Sequence, residues 1–439
     1  MAARFEQLDA YSQAFGRWRD ERAATEPAAV TARREAAFGR FRAEGFPTRK
    51  DEDWKYTALA EATARVAVPG PAEAGWVPAL EGLPAPDAGA LRLVFVNGWF
   101  SSESGSRGHL PSGVRLGSLA KALREGDPDW VGDWLGRVEE RPGKGFPALN
   151  QAFFTDGCLL EVPAGLELEV PIELVFVNVP RRDGLAAAAC PRSLIRLGAG
   201  ARVRLTEIHA GRPNARSLTN RTTEIDLAAG ARLQYQRLIM EPAGQLHLGT
   251  VCASLADGAG LQSLVFALGG RLVRETLQVT LHGRRADTVL SGLSLARDHS
   301  HLDHQVEVRH LGPAGHSEQL YKAVAEDHGR AIYSGRVQVA EAAAGTRARQ
   351  TGRGLLLSPE AEVDARPHLE IHTDDVECAH GCTLGPVAGE ALFYLRSRGL
   401  SEEEAVRLLV RAFVTEVVQQ AQPAALREFI EGRLPGAGS

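Results

Sequence analysis

The sequence predicts a mainly β chain whose core is a β-helix, a solenoid of stacked coils, flanked by α-helical regions at both ends. Three observations predict it. From 153 to 384 one short β-prone segment follows another, with little room for helices. Within that stretch a small-residue turn recurs, as Ala199-Gly200-Ala201, Ala229-Gly230-Ala231 and Ala259-Gly260-Leu261, each glycine 30 residues after the last. Outside the stretch the apolar period becomes helical. A fixed period of this length in an all-β segment marks a solenoid or a propeller. Trp-Asp and kelch signatures are absent, which favours a β-helix, where each coil buries its inward residues against its neighbours. A β-sandwich also alternates strands with Gly-rich turns and stands as the alternative.

Taken in order, residues 1–90 form a helical region and a linker. Phe15, Trp18, Phe38 and Phe41 give short amphipathic faces up to about residue 65, interrupted at Gly45 and Pro47. Pro69, Pro71, Pro78, Pro84 and Pro86 then make regular structure unfavourable. The β-helix is assigned to 91–387. It opens on an apolar run, 91–96, that ends at the turn signal Asn97-Gly98. A helical insertion is expected over 115–141 around Trp130 and Trp134. Strands are expected at 166–170, 174–177 and 203–208. Three later turns keep a similar period: Ala286-Asp287-Thr288, Gly315-His316-Ser317 and Ala344-Gly345-Thr346. Residues 388–439 are helical. Ser401 and Glu404 form a capping box, and Val406, Leu409, Val410, Phe413 and Val417 mark one apolar face. That face either covers the solenoid or docks a partner.

Composition excludes several classes. Hydrophobic residues make up 44% and charged residues 24% of 439, ordinary values for a soluble globular protein. A net charge of −5 leaves no global electrostatic footprint for nucleic acid. No apolar run reaches the roughly 20 residues that span a bilayer. Five scattered cysteines argue against a disulfide framework and for a reducing compartment, so the cytoplasm is expected.

Chemistry concentrates in one place. Asp374-Asp375-Val376-Glu377-Cys378-Ala379-His380-Gly381-Cys382 sets two thiols and an imidazole at alternate positions, on one face of a strand. Sulfur beside imidazole suits iron, zinc, copper or an iron–sulfur species, whereas a bland reading makes the cysteines core residues. A second histidine group, His299, His301, His304 and His310, suggests a structural zinc site. In a strand, however, His299 and His301 share a face and His304 takes the other, and one strand cannot supply four converging ligands. Phosphate-loop, His-Glu-x-x-His, Cys-x-x-Cys and Gly-x-Ser-x-Gly signatures are missing. The clustered carboxylates of a carbohydrate-active β-helix are missing too. The chain is therefore expected not to be an enzyme.

Several segments together resemble the SufB/SufD family of iron–sulfur cluster assembly proteins, in its SufD branch. The match is carried by Asp374-Asp375-Val376, Cys378, His380-Gly381, the stretch from Ala391 to Ala405, and Leu408 to Phe413. Glu52 to Thr57, Val94 to Gly98, Gln319 to Lys322, Ala348 to Gln350, Leu355 to Ser358 and Pro367 to Ile371 support it. The resemblance implies a right-handed β-helix and a non-catalytic scaffold that pairs with a SufB-type subunit through that β-helix. It also implies that a SufC-type ATPase docks on the C-terminal helices. A transient iron–sulfur cluster would form at the interface with the SufB-type partner, with His380 and Cys378 there as metal contacts, and nothing tightly bound would remain on the chain alone. Asp374 or Asp375 would orient the imidazole. The face of Val406, Leu409, Val410, Phe413 and Val417 would dock the ATPase or support the segment that does. Whether the chain alone is monomer or homodimer stays open. Cys382 departs from the family, which more often has a small non-thiol residue there, and so does the segment Pro386 to Gly389; a ligand role for Cys382 rests only on its shared strand face.

Overall fold

The computed structural model describes residues 2–22, 24–59, 68–70, 80–102, 104–105, 108–125, 134–138, 145–180, 187–213 and 217–435. Trp130, Pro71 and Pro78 lie outside them. Two helices open the chain, α1 (Ala2–Arg22) and α2 (Ala28–Glu44). Phe15 stacks on Phe38 with ring centres 4.2 Å apart, and Phe153 meets both edge-on. Glu52–Trp54 is a single 3-10 turn. Next come β1 (Leu91–Val96), β2 (Trp99–Ser101), β3 (Arg115–Ser118), α3 (Leu119–Glu125) and α4 (Phe146–Phe153).

The insertion expected over 115–141 is thus partly corrected. Residues 115–118 are a strand, paired antiparallel with 158–161, and the helix is short. Helix α4 went unread because all eight of its residues are buried, which leaves no amphipathic stripe to recognise. The strand expected at 166–170 is a corner held by one bridge, Glu167 to Arg202.

The solenoid continues through β4 (Cys158–Val162), β5 (Ile172–Asn178), β6 (Ala187–Ala189), β7 (Arg192–Leu197) and β8 (Arg202–Gly211). Then come β9 (Ser217–Leu227), β10 (Arg232–Met240), β11 (Leu246–Leu255), β12 (Gly260–Gly269) and β13 (Leu272–Leu281). It closes with β14 (Asp287–Ala296), β15 (His301–His310), β16 (His316–Ala325) and β17 (Arg330–Val339), followed by β18 (Thr346–Leu356), β19 (Glu362–Ile371) and β20 (Val376–Pro386). From β8 onward strands alternate between two sheets, so each coil adds one strand to each. Sheet A runs β2-β1-β5-β8-β10-β12-β14-β16-β18-β20, and sheet B runs β19-β17-β15-β13-β11-β9-β7-β4-β3. Coil-to-coil pairing is parallel, and the architecture is a β-solenoid.

Alternation then sorts the side chains. Leu233, Leu261, Leu290, Val279 and Val308 point inward and form the core between the sheets. Outward residues of sheet A, among them Val175, Leu238, Leu264 and Leu293, are covered by the C-terminal helices α6 (Glu402–Val418) and α7 (Ala424–Glu431), whereas α5 (Gly389–Ser397), which precedes them, has no buried residue. Val410, Val414 and Val417 of α6 are buried there, each worth about 1.5–3 kcal/mol of transfer free energy. Lys322 ties α6 down through Glu416 at 2.8 Å and the Phe413 carbonyl at 2.7 Å. Ser401 and Glu404 form the expected capping box. The sequence 52–57 lies across sheet B: Thr57 donates to Asp303, Arg274 donates to the Asp53 carbonyl, and Arg274 sits over the Trp54 ring.

The 30-residue repeat corresponds to one turn per coil. Gly200, Gly230, Gly258, Arg285, Ala314 and Gly345 all hold φ between 55° and 74°. Each donates its N–H to the next coil, to the carbonyls of Ala229, Asp257, Arg284, Pro313, Ala344 and Asp375 in turn. The third glycine of the sequence repeat is corrected by this register. Gly258 makes the turn, and Gly260 begins β12.

Candidate functional site

β20 is the last strand of sheet A and pairs only with β18. Its register sets Cys378 beside Ala348, His380 beside Gln350 and Cys382 beside Gly352. Those partners point inward, so the two thiols and the imidazole extend the solenoid's inner face past its last complete coil. With no further coil above, His380 and Cys382 are exposed and Cys378 is half-buried against the core. An open groove of about 610 Å³ lies along this edge, lined by residues 347–353 and 377–383 together with His316. A smaller cavity of about 270 Å³, beneath residues 51–54 on sheet B, is lined by neither thiol nor imidazole.

Geometry limits what β20 does alone. Alternate residues on a strand stand about 6.8 Å apart, so Cys378 and Cys382 are separated by about 13 Å of backbone. One mononuclear ion cannot take all three groups. Partial burial pushes both thiols above the ordinary cysteine value, against backbone N–H groups of Ala348 and Gly352 that favour the thiolate. A metal arriving here displaces a proton. The arrangement offers separate soft ligands and needs the remainder of a coordination sphere from elsewhere.

Asp374 and Asp375 sit in the turn before β20, five or more residues from His380, roughly 17 Å at strand rise. The Asp375 carbonyl accepts from Gly345, and among the described residues no hydrogen bond joins either aspartate to His380. They belong to the turn ladder. Of the residues expected at a docking face, Val410 and Val417 are buried on sheet A, and Val406, Leu409 and Phe413 are half-buried. That stripe is used within the chain because outward Val and Leu of sheet A need a cover. Phe393 and Tyr394 on α5 and Leu408 on α6 are exposed, at 75%, 56% and 46%.

The histidines near 300 do not converge. His299 lies in a turn, off the expected strand face, and stacks on His328 at 4.9 Å. His301 points outward to the Thr57 hydroxyl at 3.0 Å. His304 and His310 point inward, and burial pulls both down to about 4, which keeps them neutral.

The sequence reading missed the polar column inside the solenoid. Glu207, His209, Arg221, Tyr235, Arg237, His247 and Glu275 are all buried inward residues. Burial alone would push Glu207 up, but Arg221, His209 and Tyr235 pull it down to about 2. Arg237 donates to Glu275 at 2.8 Å and to Ser263 at 3.2 Å. Further along, Tyr333 stacks on Tyr321 and donates to Gln319 at 2.8 Å. Gln350, paired in register with His380, is fully buried at the end of this file. The available signal was a charged residue where strand alternation demands an apolar one, at 207, 221, 237 and 275.

The comparisons with known proteins agree with this architecture. The SUF system FeS cluster assembly SufBD core domain matches residues 180–413, and the SufBD protein N-terminal region matches 6–65 and 86–174. An iron–sulfur cluster assembly SufBD family protein of Synechocystis sp. is 30% identical over 93% of this chain and 90% of its own length. The iron–sulfur cluster assembly protein SufD of Escherichia coli is 29% identical over 89% of each. SufB of Bacillus subtilis is 26% identical over 69% of this chain and 64% of its own. With the core domain spanning more than half the chain and a relative matched along nearly its whole length, this protein belongs to the SufB/SufD family of the SUF iron–sulfur cluster assembly system.

Proposed function

We propose that the chain is a non-catalytic scaffold subunit that pairs with a SufB-type partner through the open end of its solenoid, with the nascent iron–sulfur cluster formed at that interface. The observation that carries this reading is β20 itself: a thiol–imidazole–thiol strand, solvent-exposed at an uncapped solenoid end. An unpaired edge is a template for another strand, and a solenoid end without a cap presents a ready docking surface. His380 and Cys378 contribute ligands to the cluster, which is cargo, and the partner supplies the rest. The isolated chain retains no cluster on β20.

A SufC-type ATPase docks on α5 and α6, where Phe393, Tyr394 and Leu408 are exposed while the opposite stripe of α6 holds that helix to the solenoid. The five cysteines, none in a disulfide among the described residues, suit a reducing cytoplasm, and among the described residues no helix is long and apolar enough to cross a membrane.

Light scattering after size exclusion of this chain with SufB- and SufC-type proteins tests the reading, with His380→Ala run alongside. The expected result is a heteromer containing the ATPase, unchanged in mass by the substitution but no longer accumulating cluster by visible absorbance. A chain that stays alone, or a variant that builds cluster normally, rejects the proposal.

A further inference from the structure

Deep inside the solenoid, near the end opposite β20, one nitrogen each of His209 and His247 and a carboxylate oxygen of Glu241 lie within 4.8 Å of one another, all three residues buried. Among the described residues this is the one such group of three metal-ligating side chains. It is built from three elements: His209 closes the inward face of β8, Glu241 follows β10 at the corner, and His247 begins the inward face of β11.

The surroundings of each histidine are those of a metal ligand. His209 sets Nε2 2.6 Å from Glu207, and its Nδ1 is buried without a partner. An ionised carboxylate only accepts, so Nε2 carries the proton and Nδ1 keeps a free lone pair. His247 likewise sets Nε2 2.9 Å from Glu275, while its Nδ1 faces Glu241 at 3.3 Å. A carboxylate on the far nitrogen of each imidazole is the arrangement that fixes tautomer and ring direction in metal sites. The 3.3 Å separation equals that of two donors sharing one ion at roughly 2.0–2.1 Å in tetrahedral geometry. Glu241 Oε1 also accepts from Thr219 at 2.9 Å and from Asn178 at 3.4 Å, which positions the carboxylate, and its Oε2 is buried with no partner.

Charge points the same way. Among the described residues, Arg221 and Arg237 are the guanidinium groups paired with this trio of Glu207, Glu241 and Glu275, which leaves one negative charge in excess in the core while His209 and His247 are neutral. Buried charge of that kind is neutralised or paired. His247 stands between the carboxylates of Glu241 and Glu275, and a cation on its Nδ1, proton or metal, offsets the excess charge.

We infer that His209, His247 and Glu241 form an interior site for one divalent cation of the iron(II)–zinc(II) class, distinct from the thiol–imidazole strand at the solenoid's other end. Two histidines and one carboxylate are the donor set of mononuclear iron(II) and of His₂Glu zinc centres. Being enclosed, the site fills as the chain folds and holds its ion in the absence of partners. Metal on the isolated chain is then expected, and it sits here instead of at His380.

The test uses the full chain refolded anaerobically with cobalt(II), then desalted, with metal measured by mass spectrometry and the cobalt spectrum recorded. A Cys378→Ser/His380→Ala variant is treated identically. The expected result is about one ion per chain in both proteins, with the ligand-field bands of a nitrogen–oxygen site and no thiolate charge transfer. Glu241→Gln abolishes retention, and Glu207→Gln weakens it about 10- to 100-fold by loosening His209. Absence of bands in wild type means that only a proton occupies the cluster and overturns the inference, whether or not Glu241→Gln folds. Metal that persists in Glu241→Gln but disappears in the His380 variant overturns it as well, without touching the cluster-assembly reading.

Discussion

At the residue scale, inward positions decide how tightly the solenoid packs. Gly292 faces Tyr321 so closely that an added Cβ would stand 2.4 Å from its ring. Tyr321 cannot swing away freely, because Tyr333 stacks on it with centroids 4.6 Å apart. Gly292→Ala is therefore expected to cost about 1–3 kcal/mol, the usual penalty for overpacking, read as a lowered urea midpoint with unchanged slope. The same stack leads to Gln319 and Gln350 and so to the strand that carries His380. Residue-scale packing and the candidate site are continuous.

At the element scale, the turn ladder separates conformational cost from contact. An added Cβ at Gly230 would meet nothing closer than 3.9 Å. Gly230→Ala is still expected to lose about 1–2 kcal/mol, because its φ of 69° is left-handed. Ala314 holds φ of 56° at the equivalent turn. Ala314→Gly is expected to gain about 0.5–1 kcal/mol, the relief of strain less the extra entropy of the unfolded chain. Paired thermal melts of the two variants, moving in opposite directions, check the argument. The strap formed by 52–57 offers a pH test. Burial would raise the Asp303 carboxyl, but Arg274, Thr57 and Gln305 hold it below the ordinary aspartate range. A depressed carboxyl stabilises the fold above its unfolded value near 3.9 and loses that contribution as pH falls towards its folded value. Asp303→Asn strands the Arg274 charge, so a loss of about 3 kcal/mol at pH 7 is expected, with a flatter acid limb in chemical denaturation.

At the scale of the whole molecule, the solenoid is closed at one end, laterally covered, and open at the other. The N-terminal helices and their aromatic cluster pack by the first coils, and α6 and α7 cover sheet A. β19 and β20 have no such cover. Val414 is 1% exposed at the centre of the α6 contact. Val414→Asp buries an unpaired charge there and is expected to cost on the order of 3 kcal/mol. The helices 389–435 should release first, seen as faster hydrogen exchange and cleavage near residues 386–402 while the strand content by circular dichroism persists. Loss of the whole solenoid together with the helices would show instead that the molecule folds as one cooperative unit.

Much of this was legible from the chain. The 30-residue spacing of small-residue turns determined a stacked β architecture, because every coil must return the backbone to the same corner. Alternation determined that Cys378, His380 and Cys382 share a face, and Ser401 with Glu404 determined where α6 begins. Other features needed three dimensions. Helix α4 is buried all round, so it carries no period. The stripe of Val410 and Val417 reads equally as a cover for the solenoid or a docking face until sheet A is seen to need cover, since amphipathicity does not say which surface an apolar face meets. His209, Glu241 and His247 lie on three segments up to 38 residues apart in sequence, and only the coil register brings them together. Strand period acts within a segment, whereas metal-ligand geometry depends on how one coil settles on the next.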